Sequence, residues 1–204
     1  MNIFFDLDGT LWDSKVRLYT LFCDITKKKE ISMEDYWNRK RAKVSNEQIL
    51  ESLGYNEEQI KLFVTEWMQK IEEENYLKLD TLFHFTGNVL ETLKNKGYNI
   101  YFVTLRQSTT RALSEIADKG VDKYCESCLV SEAKTTKEQL VRNADIQLKE
   151  DDVFVGDTGI DVMTAKALGI KSVAVLSGFR NKEVLEGYTP DYILTDISEL
   201  NKII

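Results

Sequence analysis

Proline, histidine and cysteine are nearly missing from this chain: its 204 residues include one proline (Pro190), one histidine (His84) and three cysteines (Cys23, Cys125 and Cys128). A single proline beside ten glycines, in a composition that is 43% hydrophobic and 30% charged, excludes a disordered tract or a fibrous repeat and leaves a folded globular chain. Cys125 and Cys128 have the spacing of half a zinc or redox motif. No second cysteine pair stands elsewhere and His84 is the only imidazole, so they read as structural thiols. An odd cysteine count in a chain long enough to bury a core without staples suits a reducing compartment. Also missing are an uninterrupted apolar run of about 18 residues and, after Met1, a basic segment leading into an apolar stretch and cleavage site. The expectation is a cytoplasmic protein with no membrane association. Positive charge is in deficit, with 27 Lys and Arg against 34 Asp and Glu and a net charge of -7. That balance excludes a broad cationic face for nucleic acid or anionic lipid. An anionic substrate would then rely on a metal or on isolated lysines and arginines.

What is present is a rhythm of short apolar runs separated by helical patterns. Asn2 to Phe5, Asn99 to Val103, Cys128 to Val130, Val153 to Val155, Ser172 to Val175 and Tyr192 to Leu194 are continuously apolar rather than alternating, as strands of a parallel sheet covered on both faces are. Residues 87–96, 108–118 and 159–168 carry helical patterns, and the first and last stop at Gly97 and Gly169, which suit the left-handed position past a helix end. Strand, helix, strand in this order predicts right-handed crossovers and a doubly wound α/β sheet. From about Ser14 to Asp80 no strand is predicted. Leu18, Leu21, Phe22 and Ile25 share one helical face, and Ile60, Phe63, Val64, Trp67 and Ile71 another. Ser45 with Gln48, and Asn56 with Gln59, have the spacing in which cap side chain and third residue satisfy each other's backbone donors. The expected organisation is an α/β core of residues 1–13 and 81–204, with a helical subdomain of residues 14–80 inserted after the first strand.

Polar residues end three of the strands: Asp6, Thr104 and Asp157. Ligands of open parallel sheets bind outside the carboxyl ends of the strands, so these three should meet. Asp6 and Asp8 are two apart and leave the same side of an extended chain; Gly9 then permits a sharp turn and Thr10 supplies a stabilising hydroxyl. Converging carboxylates repel unless a divalent cation joins them, and Mg2+ suits an all-oxygen site. Asp157 offers a third carboxylate.

The run Asp6-Leu7-Asp8-Gly9-Thr10-Leu11 resembles the signature of the haloacid dehalogenase superfamily of phosphatases. Thr104 is similar to its second motif, Lys134 to its third, and Gly156-Asp157 with Asp161 to its acidic fourth motif. A helical insertion after the first motif resembles the cap of the subfamily that includes phosphoglycolate phosphatases and β-phosphoglucomutases. The resemblance implies an Mg2+-dependent phosphatase in which Asp6 attacks phosphorus and becomes an aspartyl-phosphate. Asp8 would protonate the leaving alkoxide and then deprotonate water; a dehalogenase lacks this second aspartate. Thr104 and the amide of Leu105 would bind phosphate oxygens, and Lys134 would neutralise the nucleophile and the transferring group. Asp157 would ligate the metal beside Asp6 and the carbonyl of Asp8, with Asp161 orienting ligands or the lysine.

Two positions depart from the family pattern. Thr135 follows Lys134 where the family often has proline, and Lys137, one turn on, is the alternative lysine. Leu105-Arg106 stands where a small or amide residue commonly follows the threonine; Arg106 either reaches substrate or makes a surface pair. His84 is expected to be structural or exposed, Trp12, Trp37 and Trp67 to be packing, and Glu72-Glu73-Glu74 and Lys27-Lys28-Lys29 to be solvated. The partner is a small phosphorylated metabolite and the protein a monomer or homodimer. A phosphomutase with the same intermediate and a receiver-like phosphoacceptor are the rival functions.

Overall fold

Ile3, Phe4 and Phe5 are all fully buried, and that requirement places the first strand in the middle of the molecule. The computed structural model describes residues 1–27 and 31–204; Lys28 and Lys29 of the expected solvated run lie outside the described residues. The chain begins with strand β1 (Asn2–Phe5) and β2 (Trp12–Asp13), then passes through helices α1 (Lys15–Thr26), α2 (Met33–Arg41), α3 (Asn46–Ser52), α4 (Glu57–Lys70) and α5 (Glu74–Leu77). It returns through β3 (Thr81–Leu82) and continues as α6 (Thr86–Asn95), β4 (Asn99–Thr104), α7 (Thr109–Asp118), β5 (Ser127–Val130) and α8 (Lys137–Asn143). The last part is β6 (Val153–Gly156), α9 (Gly159–Leu168), β7 (Lys171–Val175), α10 (Lys182–Glu186) and β8 (Tyr192–Leu194), with short 3-10 helices at Asp122–Tyr124 and, beyond β8, at Ile197–Lys202.

Six of these strands form one sheet in the order β5-β4-β1-β6-β7-β8, every pair parallel. Successive side chains of a strand point to opposite faces. Ile3 and Phe5 accordingly join Val89, Leu90, Leu93 and Ile116 from α6 and α7 on one side. Phe4 joins Val141, Ala165 and Leu168 from α8 and α9 on the other, stacked between Tyr101 and Phe154 at centroid distances of 5.2 and 6.1 Å. This is the doubly wound α/β sheet expected. The chain winds outward from β1 through β4 to β5, then crosses back to β6, so the carboxyl ends of β4, β1 and β6 open side by side at the switch point.

β2 and β3 pair antiparallel, Trp12 with Leu82 and Asp13 with Thr81; they are the two crossings between the sheet and the helices α1 to α5. Both expected capping boxes are formed, Ser45 with Gln48 and Asn56 with Gln59. Phe22, Tyr36, Ile49, Leu50 and Phe63 gather into an apolar cluster separate from those of the sheet. Phe22 packs against Tyr36 and Phe63 at 5.0 and 5.5 Å. No helix among the described residues is long and apolar enough to cross a membrane. Cys125 and Cys128 are free thiols, and His84 is exposed.

Phe22→Ala should cost about 3–5 kcal/mol, because deleting a buried ring leaves a cavity the neighbouring aromatics only partly fill; the unfolding free energy from urea denaturation checks this.

Candidate active site

The chain leaves β1 at Asp6, whose amide donates to the carbonyl of Val155 in β6 at 2.9 Å, and turns at once. Gly9 takes φ 82 and its amide bonds the Trp12 carbonyl at 2.8 Å. A side chain at Gly9 would stand 2.4 Å from Asp157 Oδ2, and one at Gly178 2.0 Å from the same oxygen. Asp157, just past β6, is thus enclosed by two loops that approach it as bare backbone. Its Oδ2 accepts the Phe179 amide at 2.5 Å, while its Oδ1 is buried without a hydrogen-bond partner.

Lys137, the first residue of α8, spans the gap to the opposite side: its Nζ donates to Asp6 Oδ1 at 2.5 Å and to Asp161 Oδ1 at 2.6 Å. Asp161 Oδ2 accepts the amide and hydroxyl of Thr158 at 3.0 and 2.7 Å, a reciprocal cap that starts α9. Oxygens of Asp6, Asp157 and Asp161 lie within 4.8 Å of one another. Burial pushes the Asp6 carboxyl up to about 7, the Lys137 ammonium opposing and the Asp161 charge assisting. Burial and then the charges of Asp6 and Asp161 push Asp157 well above the usual carboxylate range. Burial works against the Lys137 charge, but Asp161 and Asp6 outweigh it and hold the ammonium protonated. An acidic cluster with an unpartnered buried oxygen and only oxygen donors fits a hard divalent cation such as Mg2+.

Asp8 has a different neutraliser. Burial alone would raise its carboxyl, but the guanidinium groups of Arg106 and Arg17 hold it well below the usual range. Arg106 Nε donates to Asp8 Oδ2 at 2.7 Å and its Nη2 to Oδ1 at 2.8 Å; Arg17 Nη2 and the Ser14 hydroxyl each reach Oδ1 at 2.5 Å. Asp80 braces both arginines, 3.1 Å from Arg17 Nε and 3.2 Å from Arg106 Nη2, and Glu115 pairs with Arg106 at 3.1 Å.

The structure brings Asp6, Asp8, Thr104, Arg106, Asp157 and Asp161 together, and it corrects the expectations for Lys134 and Glu72. Lys134 lies in the loop before α8, its side chain 75% exposed and paired with Glu132 at 2.9 Å. Lys137, 4% exposed, occupies the place between Asp6 and Asp161. The reason is local: Glu132 and Ala133 both take positive φ, turning Lys134 outward, and Thr136 then caps α8 by accepting the Gln139 amide. Beside the carboxylates of Asp6 and Asp157 lies that of Asp161, while the Asp8 carboxylate is paired with Arg17 and Arg106. Glu72, expected to be solvated, is buried and accepts the amides of Gln107 and Ser108 at 2.6 and 3.1 Å. Arg106 is turned onto Asp8, Asp80 and Glu115 rather than into open space. Ser14, Arg17, Asp80 and Glu115 were not foreseen. Thr104 ends β4 with its hydroxyl accepting the Arg106 amide at 3.3 Å, and Leu105 stands at the rim. Above these groups is a cavity of about 330 Å³, lined from the core by Asp6, Asp8, Thr104 and Lys137 and from the helical layer by Leu18, Trp67, Met68 and Ile71.

Residues 3–175 match the family described as haloacid dehalogenase-like hydrolase. The pyrophosphatase PpaX of Halalkalibacterium halodurans is 23% identical over 100% of this chain and 96% of its own. A protein from Caldanaerobacter subterraneus with the same pyrophosphatase designation is 30% identical over 57% of this chain and 55% of its own. Among solved structures, the haloacid dehalogenase-like family protein SP0104 of Streptococcus pneumoniae superposes with a TM-score of 0.80 at 24% identity, covering 98% of this chain and 96% of that one. A predicted phosphoglycolate phosphatase from Haemophilus somnus gives 0.75 at 23% identity, covering 99% and 96%.

Three buried carboxyls titrate above the unfolded value of 3.8: Asp6 at about 7, Asp80 at about 8, and Asp157. Between those limits the folded state binds protons that the unfolded chain has lost, so stability in chelator falls as pH rises from 5 to 8. Asp8 is shifted down, below 3.8, and Lys137 up, above 10.5, so neither titrates within this window. Thermal unfolding in EDTA should show a lower midpoint at pH 8 than at pH 5. Adding Mg2+ at about 100 times its dissociation constant should return about 2.7 kcal/mol at pH 8, and less at pH 5.

Proposed function

This chain belongs to the haloacid dehalogenase-like hydrolase family, and from that premise we propose that it is a phosphatase acting on a small phosphomonoester through an aspartyl-phosphate formed on Asp6. The observation that carries the reading is the Asp6 carboxylate at the floor of the cavity, buried between the Lys137 ammonium at 2.5 Å and the cluster it forms with Asp157 and Asp161. A carboxylate so enclosed has one open direction, into the cavity where a phosphorus atom would lie. Pyrophosphatase, the activity named for full-length relatives at 23% identity, is chemistry of the same kind.

Asp6 Oδ attacks phosphorus and the bond to the leaving oxygen breaks; water then attacks the acyl phosphate, releasing inorganic phosphate and restoring Asp6. Asp8 carries the proton of this cycle: held ionised by Arg17 and Arg106, it takes up a proton from solvent or from the monoanionic phosphate ester before giving it to the leaving oxygen in the first half, and takes one from water in the second. Arg17 and Arg106 favour its ionised form, so the arrangement assists the water-activating half most. Lys137 supplies a fixed positive charge beside both the nucleophile and the transferring group, and Thr104 with the amides that follow it holds phosphate oxygens. Mg2+, held by Asp6, Asp157 and the carbonyl of Asp8, would supply charge that lets anionic nucleophile and anionic phosphate approach. Asp161 acts through Lys137, fixing the ammonium from the side away from substrate. Residues 14–80 act as a cap on a core of residues 1–13 and 81–204. Placed over the cavity, their helices exclude bulk water from the intermediate.

Inorganic phosphate release from a panel of small esters should require Mg2+ and should fall by on the order of 10⁴-fold in Asp6→Asn. Lys137→Ala should lose about 10²- to 10³-fold in kcat and Lys134→Ala nothing measurable. Full activity in Asp6→Asn sinks the nucleophile assignment. Isomerised sugar phosphate without net phosphate release would make the protein a mutase.

A further inference from the structure

The phosphatase reading leaves the leaving group unnamed, and the cavity above Asp6 bears on it in two independent ways. The first is charge. Three cationic side chains line the cavity, Arg17, Arg106 and Lys137, and each is spent on the protein's own carboxylates. Arg17 pairs with Asp8 and Asp80, Arg106 with Asp8, Asp80 and Glu115, and Lys137 with Asp6 and Asp161. Of these only Lys137 stands beside the nucleophile, where the transferring phosphoryl group must come. Arg106 Nη1 has no hydrogen-bond partner but is buried, so a second phosphate or carboxylate on the substrate would find no exposed, uncommitted cation among the residues lining the cavity. To bind, it would have to detach a guanidinium from a buried carboxylate and leave that carboxylate buried and unpaired. Glu72 adds a further negative charge at the wall.

The second is the chemistry of the wall. From the end of α4 come Trp67 and Met68, facing Leu105 and Ile160 across the opening. Trp67 is held in place by stacking on Phe63 at 5.6 Å and 27°. Met68, Leu105 and Ile160 are 48%, 40% and 47% exposed, so about half of each stands uncovered at the mouth. Neutral polar side chains that could hydrogen-bond the hydroxyls of a sugar are limited to Gln107, the Thr104 hydroxyl, which accepts the Arg106 amide, and the Thr158 hydroxyl, which donates to Asp161. A volume of about 330 Å³ is at the small end for a ligand pocket and suits a single ring.

Resting on the phosphatase reading, we infer that this site selects the phosphomonoester of an uncharged alcohol bearing one apolar ring, with Trp67 and Met68 as the specificity-determining residues. The ring lies against the Trp67 and Met68 side chains and the alcohol oxygen points to Asp8; burying such a ring is worth tenfold or more in kcat/KM, roughly the discrimination an apolar pocket gives for one or two methylene groups.

The probe is benzyl phosphate, whose leaving alcohol has about the basicity of a sugar hydroxyl, so that a preference reports binding and not intrinsic reactivity. Its kcat/KM should exceed those of phosphoglycolate, glucose 6-phosphate and pyrophosphate by about tenfold or more. Trp67→Ala and the surface variant Met68→Glu should each lower kcat/KM for benzyl phosphate about tenfold more than for methyl phosphate, chiefly through KM. Preference for pyrophosphate or phosphoglycolate, or equal losses on both esters in both variants, overturns the inference and leaves the phosphatase reading standing. Calorimetric binding to the native protein in Ca2+ separates the two further. Tighter binding of benzyl phosphate than of phosphoglycolate supports the inference even if no ester is turned over, and the reverse order overturns it.

Discussion

Everything at this site depends on keeping four carboxylates apart from one another's charge. Asp6, Asp8, Asp157 and Asp161 come within one small volume at the ends of β1 and β6, three of them at most 7% exposed. Left to themselves, buried like charges would not all ionise. The chain answers with separate neutralisers. Lys137 is inserted between Asp6 and Asp161, from a helix N-terminus where an ammonium is electrostatically out of place and tolerable because two anions face it. Two guanidinium groups flank Asp8. Of the four, Asp157 alone keeps a buried oxygen without a hydrogen-bond partner, so the deficit of positive charge is concentrated in one place, next to Asp6.

The same ion pairs tie the helical layer to the sheet. Ser14 and Arg17 follow the outgoing crossing and Asp80 precedes the return, so both crossings end on Asp8 and Arg106. Lys119, just past α7, donates to the Asp80 carbonyl at 2.8 Å, and Glu72 accepts the first free amides ahead of α7, where a carboxylate meets a favourable dipole end. Any displacement of the helices relative to the sheet therefore breaks a buried charge pair or uncovers a pair of amides. The position of the helical layer and the environment of Asp8 are one mechanical unit.

Much of the fold was legible, because buried parallel strands write themselves as unbroken apolar runs and helix ends as caps. Each of the six expected strands is found within a residue or so, and both capping boxes on α3 and α4 are formed. The aspartates and Thr104 were legible because strand ends are where such sheets bind ligands. Lys137 was hidden by a turn: motif spacing favours Lys134, while the left-handed Glu132 and Ala133 rotate it away. The signal that could have decided the matter was Thr136-Lys137-Glu138-Gln139, a cap with Gln three residues on, which starts a helix at Lys137. Arg17, Asp80, Glu72 and Glu115 had no such signal. Each is an ordinary charged residue on a helical or loop pattern, and what makes it part of the site is a partner 9 to 63 residues away in the chain. Charge runs are solvated by default, and only burial in three dimensions singles out Glu72 from Glu73 and Glu74.

Arg106 shows why neutralisation and selectivity at this site cannot be set independently. A large cation directly after Leu105 is the departure from the family's small or amide residue, and placed alone it would be a free anion hook at the mouth of the cavity. Asp80 and Glu115 change that, because with both in contact the guanidinium is turned inward and its charge is consumed by Asp8 and its neighbours. A guanidinium that secures the ionised form of Asp8 is no longer available to a second charged group on the substrate. The carboxylate chemistry that supports hydrolysis thus leaves the outer cavity to dispersion and apolar burial, and the residues free to discriminate there are those with no charge to satisfy.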